Sequence, residues 1–313
     1  MFVDQLIERI KELGNPTVAG LDPRIEYVPE FIRRKAFREF GRNSQGVSEA
    51  ILEFNKGIID ALYDIVPAVK PQLAYYEMYG LEGMKAFAET VMYAKAKGML
   101  VIVDGKRNDI GSTAEAYSTA YLGKTDLGDE VSERMFEGDA LTVNPYLGVD
   151  GIKPFVEDCE KYGKGIFVLV KTSNKSSGQL QDLLTSYGRP IYEVVAQYVD
   201  QWGAALVGKN GYSEVGAVVG ATYPEQAKVL RKIMKNAYIL VPGYGAQGGS
   251  AADVVHSFNE DGLGAIVNAS RSIMCACSSE LWKNSYTSEQ YAQASRAEAL
   301  RMRDDIRRAL GNL

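Results

Sequence analysis

Val101-Ile-Val-Asp104-Gly-Lys106-Arg-Asn-Asp109-Ile110 joins an apolar run to the spacing Asp-x-Lys-x-x-Asp. The apolar residues from Met99 to Val103 read as a buried strand. Period two places Asp104 on the side of Ile102, and Lys106 joins it there if the strand runs on that far. Two neighbouring charges of opposite sign then point from a strand end into one space. Asp109 lies past the strand, in a turn with Gly111 that precedes Ser112, Thr113 and the helical pattern Ala114-Glu-Ala-Tyr117, so it need not face the same pocket. Taken alone, the pattern also fits solvated charges, or a surface ion pair contributing ~0 to 1 kcal/mol. Position decides between these readings, because a parallel sheet binds its ligands at the carboxyl ends of its strands.

Working outward, eight apolar strand candidates begin near residues 17, 67, 99, 140, 165, 215, 238 and 264, with helical patterns between nearly all of them. Eight strands alternating with helices predict an α/β fold, a single (β/α)8 TIM barrel spanning residues 1–313. The pattern adds an amphipathic N-terminal helix from Phe2 to Leu13, ending at Gly14. After strand 1 comes an inserted helix and loop from Pro29 to Gln45, whose Arg33, Arg34, Lys35, Arg38 and Arg42 read as a solvated face. Further helices are expected from Ser48 to Tyr63, Leu81 to Lys97 and Ile191 to Leu206, a loop from Lys175 to Gly188, and a helical tail from Ser278 onward. In Ala68-Val-Lys70-Pro71-Gln72 a lysine is embedded in an apolar strand. A buried ammonium without a partner is expensive, so Lys70 implies a nearby carboxylate, and Asp104 is the natural candidate.

Composition narrows the function. Of 313 residues 46% are apolar and 24% charged, enough for a sizeable core, and the net charge of -5 offers no basic excess for nucleic acid. No run approaches a membrane span and no signal peptide leads the chain, so a soluble, cytoplasmic protein is expected. Cys159, Cys275 and Cys277 lack the spacing of a disulfide framework or zinc site. His256, the single histidine, lies in a helical pattern with no nucleophile motif nearby, which leaves triad chemistry without its base and His256 as a structural or surface residue.

Asp22, Lys70, Asp104, Lys106, Ser173, Gln247 and Arg271 all fall at or after predicted strand ends and so converge on one pocket. After strand seven comes Pro242-Gly-Tyr-Gly-Ala-Gln247-Gly-Gly-Ser250, and after strand eight Asn268-Ala-Ser270-Arg271-Ser272-Ile273. Glycines let backbone N–H groups approach an oxyanion, a helix N-terminus adds partial positive charge, and Arg271 offers a bidentate fork. These loops are also where such a barrel commonly holds phosphate.

In this order, the motifs Gly20-Leu-Asp22-Pro-Arg24, Val69-Lys70-Pro-Gln72, Asp104-Gly-Lys106-Arg-Asn-Asp109-Ile110, Thr172-Ser173-Asn174, Pro242-Gly-Tyr-Gly-Ala-Gln247-Gly-Gly and Ser270-Arg271 are specific. The chain resembles the orotidine 5'-phosphate decarboxylases, in particular the longer bacterial-type subfamily. The resemblance implies decarboxylation of orotidine 5'-phosphate to uridine 5'-phosphate, the last step of de novo UMP synthesis, with no cofactor and no metal. It implies a catalytic array of Lys70, Asp104, Lys106 and Asp109, with Lys106 protonating C6 of the pyrimidine. It further implies Asp22 and Lys70 on the ribose hydroxyls, Ser173 on the pyrimidine edge, and Gln247 and Arg271 on the phosphate. Asp109, Ile110 and Thr113 would enter the neighbouring subunit's site, so the active unit implied is a homodimer.

Two other readings remain open from the sequence. One is a sugar-phosphate decarboxylase or aldolase-type relative holding Mg2+ with these carboxylates, against which interleaved lysines compete. The other is a barrel that binds nucleotides or phosphates without turnover.

Overall fold

Short apolar runs separated by helices must pair in parallel, because each crossover returns the chain to the same edge. Ten strands form among the described residues, 1–245 and 248–311, of this computed structural model. They are β1 (Thr17–Leu21), β2 (Ala68–Pro71), β3 (Leu100–Arg107), β4 (Thr125–Gly128), β5 (Val131–Glu133), β6 (Ala140–Val143), β7 (Gly165–Lys171), β8 (Ser213–Val219), β9 (Ala237–Val241) and β10 (Ala265–Ala269). Eight of them close a parallel barrel in the order β1-β2-β3-β6-β7-β8-β9-β10, with β10 returning to β1. These eight match the eight strands expected from the apolar runs.

Alternation divides the strand residues between two cores. Val18, Ala68, Ile102, Ala140, Phe167, Val218, Leu240 and Ile266 point into the barrel, whereas Ala19, Val69, Val101, Val103, Leu141, Val168, Ala217, Val241 and Val267 face the surrounding helices. The N-terminal helix Phe2–Leu13 plugs the bottom of the barrel with Phe2, Val3, Leu6, Ile7 and Ile10. It ends as expected at Gly14, whose left-handed φ of 57° closes the helix with an N–H bond to the Ile10 carbonyl. Phe2 meets Phe167 edge to face at 6.1 Å.

The insertion forms the helix Glu30–Phe40, burying Ile32 and Ala36 while Arg34 and Lys35 pair at the surface with Glu30 and Glu53. The next helix begins at Ser44, four residues before the position expected, because the Asn43 side chain accepts the Gly46 N–H and caps the added turn. The segment read as a loop from Lys175 to Gly188 holds a 3-10 turn, Lys175–Ser177, and a short helix, Gly178–Gln181. The antiparallel hairpin β4–β5 has no counterpart among the expected elements: Thr125-Asp-Leu-Gly and Val131-Ser-Glu are exposed but for half-buried Thr125 and carry no apolar run. The tail ends in the helix Tyr291–Ala309, which docks Arg296 on Asp64 and lays the Tyr291 hydroxyl over Gly57, where a Cβ would come within 1.8 Å. No described helix is long and apolar enough to cross a membrane.

Glu214, 2% exposed at the barrel bottom, accepts the Val3 N–H at 3.1 Å. Burial pushes its carboxyl up to about 7, against the pull of the Val3 and Phe2 N–H groups and the chain's amino terminus. The folded value lies above the ordinary 4.5, so Glu214's contribution to stability is present below pH 4.5 and is lost as pH rises through about 7. Glu214→Gln is therefore expected to gain on the wild type in urea unfolding between these pH values, by up to about 3 kcal/mol. Parallel stability curves would rule out titration of Glu214 in the folded protein.

Candidate active site

The strand β3 runs past its apolar residues to Arg107, so Asp104 and Lys106 do share one side, as the period requires. The register with β6 shifts between Val103 and Arg107, and Lys106 takes a left-handed backbone with φ of 47°. A residue with a Cβ pays about 1–3 kcal/mol for such a conformation, which persists where the surroundings enforce it. Here the Lys106 N–H donates to Thr142 Oγ1 at 2.9 Å, and its ammonium swings back to Asp104 Oδ1 at 2.7 Å.

Asp104 is the hub. Its Oδ1 accepts Lys106 Nζ at 2.7 Å and the Thr142 hydroxyl at 2.8 Å, while its Oδ2 accepts Lys70 Nζ at 2.7 Å and Gln72 Nε2 at 3.0 Å. Four donors thus occupy the two oxygens of a carboxylate only 7% exposed. Burial acts to raise its pKa, yet Lys70 and Lys106 outweigh burial and hold the carboxyl well below the usual carboxylate range. Lys70, 3% exposed, is the reciprocal case: burial favours the neutral amine, but Asp104 and then Asp22 keep the ammonium above its ordinary value. The carboxylate lost as pH falls and the ammonium lost as pH rises are therefore both charged throughout the neutral range.

These groups sit at one end of a cavity of about 690 Å³ at the carboxyl ends of the strands. Asp22, Ser173 and Arg271 line the same cavity, so six of the expected site residues, with Lys70, Asp104 and Lys106, meet there. Leu169, Val218 and Leu240 give it an apolar floor, and Gly243 and Tyr244 bring in the loop after β9. That loop folds back on itself through Gly245 N–H to the Gly249 carbonyl and Gly249 N–H to the Gly243 carbonyl. Gln247 lies outside the described residues. The helix that Arg271 opens is a single turn, Arg271–Met274. Gly20 is required by crowding, since a Cβ there would lie 2.0 Å from Ser270 Oγ and 2.9 Å from Asn268 Oδ1.

Asp109, Ile110 and Thr113 are not brought into this cavity. Asp109 Oδ1 accepts the Ile110 N–H, and Ile110 and Thr113 are exposed at the start of the helix Gly111–Tyr121. Sequence reasoning passed over Thr142, Gln72, Arg24 and Asn268, all of which line the cavity. Period two offered a signal for two of them, since Gln72 follows Lys70 by two and Thr142 follows the inward Ala140 by two. Among the described residues no three His, Cys, Asp or Glu side chains are grouped to hold a metal ion. Cys159, Cys275 and Cys277 are free thiols, and His256 lies in a 3-10 turn away from the cavity.

The family described as orotidine 5'-phosphate decarboxylase / HUMPS matches the chain over residues 48–279. The chain belongs to this family. It is 44% identical over 310 residues to the orotidine 5'-phosphate decarboxylase of Caldicellulosiruptor saccharolyticus, covering 99% of each chain. It is 44% identical over 306 residues to that of Rhodopirellula baltica, covering 98% of this chain and 99% of the other. Among solved structures, the OMP decarboxylase of Leishmania donovani superposes with a TM-score of 0.73 at 29% identity, over 99% of this chain and 98% of that one. Membership in the orotidine 5'-phosphate decarboxylase / HUMPS family thus extends over the barrel that carries the Asp104 cluster.

The two lysines around Asp104 are bound to it in different surroundings. Asp104→Ala leaves Lys70 buried without its contacting carboxylate and is expected to destabilise the fold by about 3–5 kcal/mol. Lys106, with a side chain 46% exposed, should cost under about 1 kcal/mol when replaced by alanine. Urea unfolding of the two variants measures the difference, and equal losses would refute it.

Proposed function

We propose that this protein decarboxylates orotidine 5'-phosphate to uridine 5'-phosphate and CO2, the last step of de novo UMP synthesis, in the cytoplasm. The observation that carries the reading is the Lys70-Asp104-Lys106 array at one end of a cavity that also presents Arg271. The family match and the sequence motifs support the same reaction.

The chemistry requires such an array. When the bond from C6 to the carboxylate breaks, its electron pair stays on C6 and no adjacent group delocalises it. An ammonium already in place meets that charge without reorganising. Lys106 is the group assigned here, with its Nζ giving a proton to C6 and the amine left behind regaining one from water. Asp104 cannot swing away, because four donors hold it, and it stays ionised beside the incoming substrate carboxylate. Two like charges ~4 Å apart repel by about 4 kcal/mol at an effective dielectric near 20. Loss of CO2 removes that repulsion, so it disfavours the bound substrate more than the transition state. Phosphate binding by Gln247 and Arg271 supplies the remote affinity that holds the substrate against it. Both oxygens of Asp104 are occupied by ammonium groups, which leaves a divalent cation no advantage there.

Asp22 and Lys70 are assigned to the ribose hydroxyls and Ser173 to the pyrimidine edge. Asp109, Ile110 and Thr113 are assigned to the site of a second protomer in a homodimer. Their place outside their own cavity, with Ile110 and Thr113 exposed and Asp109 half-buried, supports this, as do exposed Tyr146, Leu147 and Val149 on the loop after β6. That loop lies against the segment through Asn108, whose amide donates to the Asn144 carbonyl. Clustered exposed apolar side chains mark association surfaces.

In excess EDTA the purified protein is expected to release CO2 from orotidine 5'-phosphate and form uridine 5'-phosphate. Absence of turnover with uridine 5'-phosphate still bound would point instead to a binding protein. Lys106→Ala should abolish turnover while the protein remains folded, and near-normal activity would remove Lys106 as proton donor. Inactive Lys106→Ala and Asp109→Ala protomers, mixed and reassembled, should regain activity, because one of the two sites in a heterodimer then receives both native residues. Mixtures that stay dead after verified subunit exchange would contradict a shared site.

A further inference from the structure

Lys171 is a second buried lysine at a strand end, and the array around Asp104 does not use it. Between Leu169 and Lys171 the register of β7 against β8 slips, with Leu169 opposite Val218 and Lys171 opposite Val219. The extra residue forms a bulge, which re-aims the side chains that follow. Leu169, Thr172 and Ser173 line the cavity, whereas Lys171 turns away from it. Its ammonium, fully buried, lies 2.5 Å from Asp182 Oδ1 and 3.3 Å from Ser177 Oγ, with the rings of Tyr223 and Tyr192 at 4.4 and 5.4 Å.

What this cation holds is the segment that returns to fix Ser173. Gln181, one residue before Asp182, accepts the Thr172 N–H at 3.0 Å and donates to Thr172 Oγ1 at 2.8 Å. Tyr223 donates to the Asn174 carbonyl at 3.3 Å, and Thr222 donates to the Ser173 carbonyl at 3.2 Å. From below, Ser173 rests on Gly220, where a Cβ would come within 2.8 Å of its backbone. Ser173 is thereby fixed on both flanks, and the ion pair between buried Lys171 and half-exposed Asp182 links β7 to the returning segment.

We infer that Lys171 and Asp182 are positioning residues that set affinity for the pyrimidine base by holding the Ser173 turn in place. The inference rests on the assignment of Ser173 to the base. A group held in advance loses little freedom when the base arrives. Without the pair, the turn must be ordered by the ligand, and only the part of the ligand that touches it is weakened.

The test compares two ligands. Calorimetry on Lys171→Met should show uridine 5'-phosphate weakened by about tenfold and ribose 5-phosphate, which lacks the base, unchanged. In a Ser173→Ala background, Lys171→Met should add little further loss. Equal weakening of both ligands would mean general structural damage and overturn the inference, as would unchanged uridine 5'-phosphate binding in Lys171→Met when Ser173→Ala alone weakens it. If Ser173→Ala leaves uridine 5'-phosphate binding unchanged, the base assignment itself fails and the inference falls with it. Asp182→Asn carries the same test should Lys171→Met not fold, because the Asp182 side chain is 48% exposed and its neutral form is readily solvated.

Discussion

The site depends on one carboxylate that is fully engaged before any ligand arrives. Asp104 lies on β3 with Lys70 on β2 to one side and Thr142 on β6 to the other, so it ties three neighbouring strands together at the carboxyl end of the barrel. Its low exposure would ordinarily favour the protonated acid, but two ammonium groups reverse that preference. Lys70 could not sit where it does without the carboxylate, and the two ammonium groups keep the carboxylate charged against its burial. Fold and chemistry therefore rest on the same three side chains, a coupling expected wherever a charge is buried for use rather than for stability.

Much of this was legible in the chain because burial of charge leaves a local signature. Lys70 stands inside an apolar strand and calls for a carboxylate, and Asp104, directly following another such strand, is the natural one. The eight barrel strands were equally plain, since an apolar run bounded by helices has few other fates. Less visible were groups whose roles depend on strands far away in sequence. Thr142 looks like an ordinary strand residue until β6 pairs with β3 and sets its hydroxyl between Asp104 and the Lys106 N–H. Lys171 directly follows the apolar run Gly165–Val170 and nothing in the sequence says which way it turns, because a bulge is decided by pairing with β8 and not by the residues that form it. The β4–β5 hairpin is polar and exposed, so no hydrophobic pattern announced it. Asp109, Ile110 and Thr113 were placed by resemblance, and the fold of one chain alone keeps them outside the cavity.

Two of the buried lysines, Lys70 and Lys171, illustrate how a barrel uses similar residues differently. Lys70 points into the cavity and is neutralised by a carboxylate within it. Lys171 is turned outward by a one-residue slip and is neutralised by a carboxylate brought back by the next loop. Strand ends can thus supply reactive charge inward and mechanical anchorage outward from adjacent layers of the same architecture.

The plug at the barrel bottom bears on how the chain reaches this state. Phe2, Val3, Leu6 and Ile7 are translated before every barrel strand, yet they share a core with residues of β7, β8 and β10, and the Val3 N–H waits for Glu214. An element translated ahead of the barrel is therefore among the last to find its place. Until the final strand has left the ribosome, its apolar face has nothing native to cover it, and contacts so distant in sequence form slowly. Aggregation of the nascent chain, and a demand for chaperones during synthesis, should then concentrate on the helix Phe2–Leu13, far from the chemistry the barrel performs.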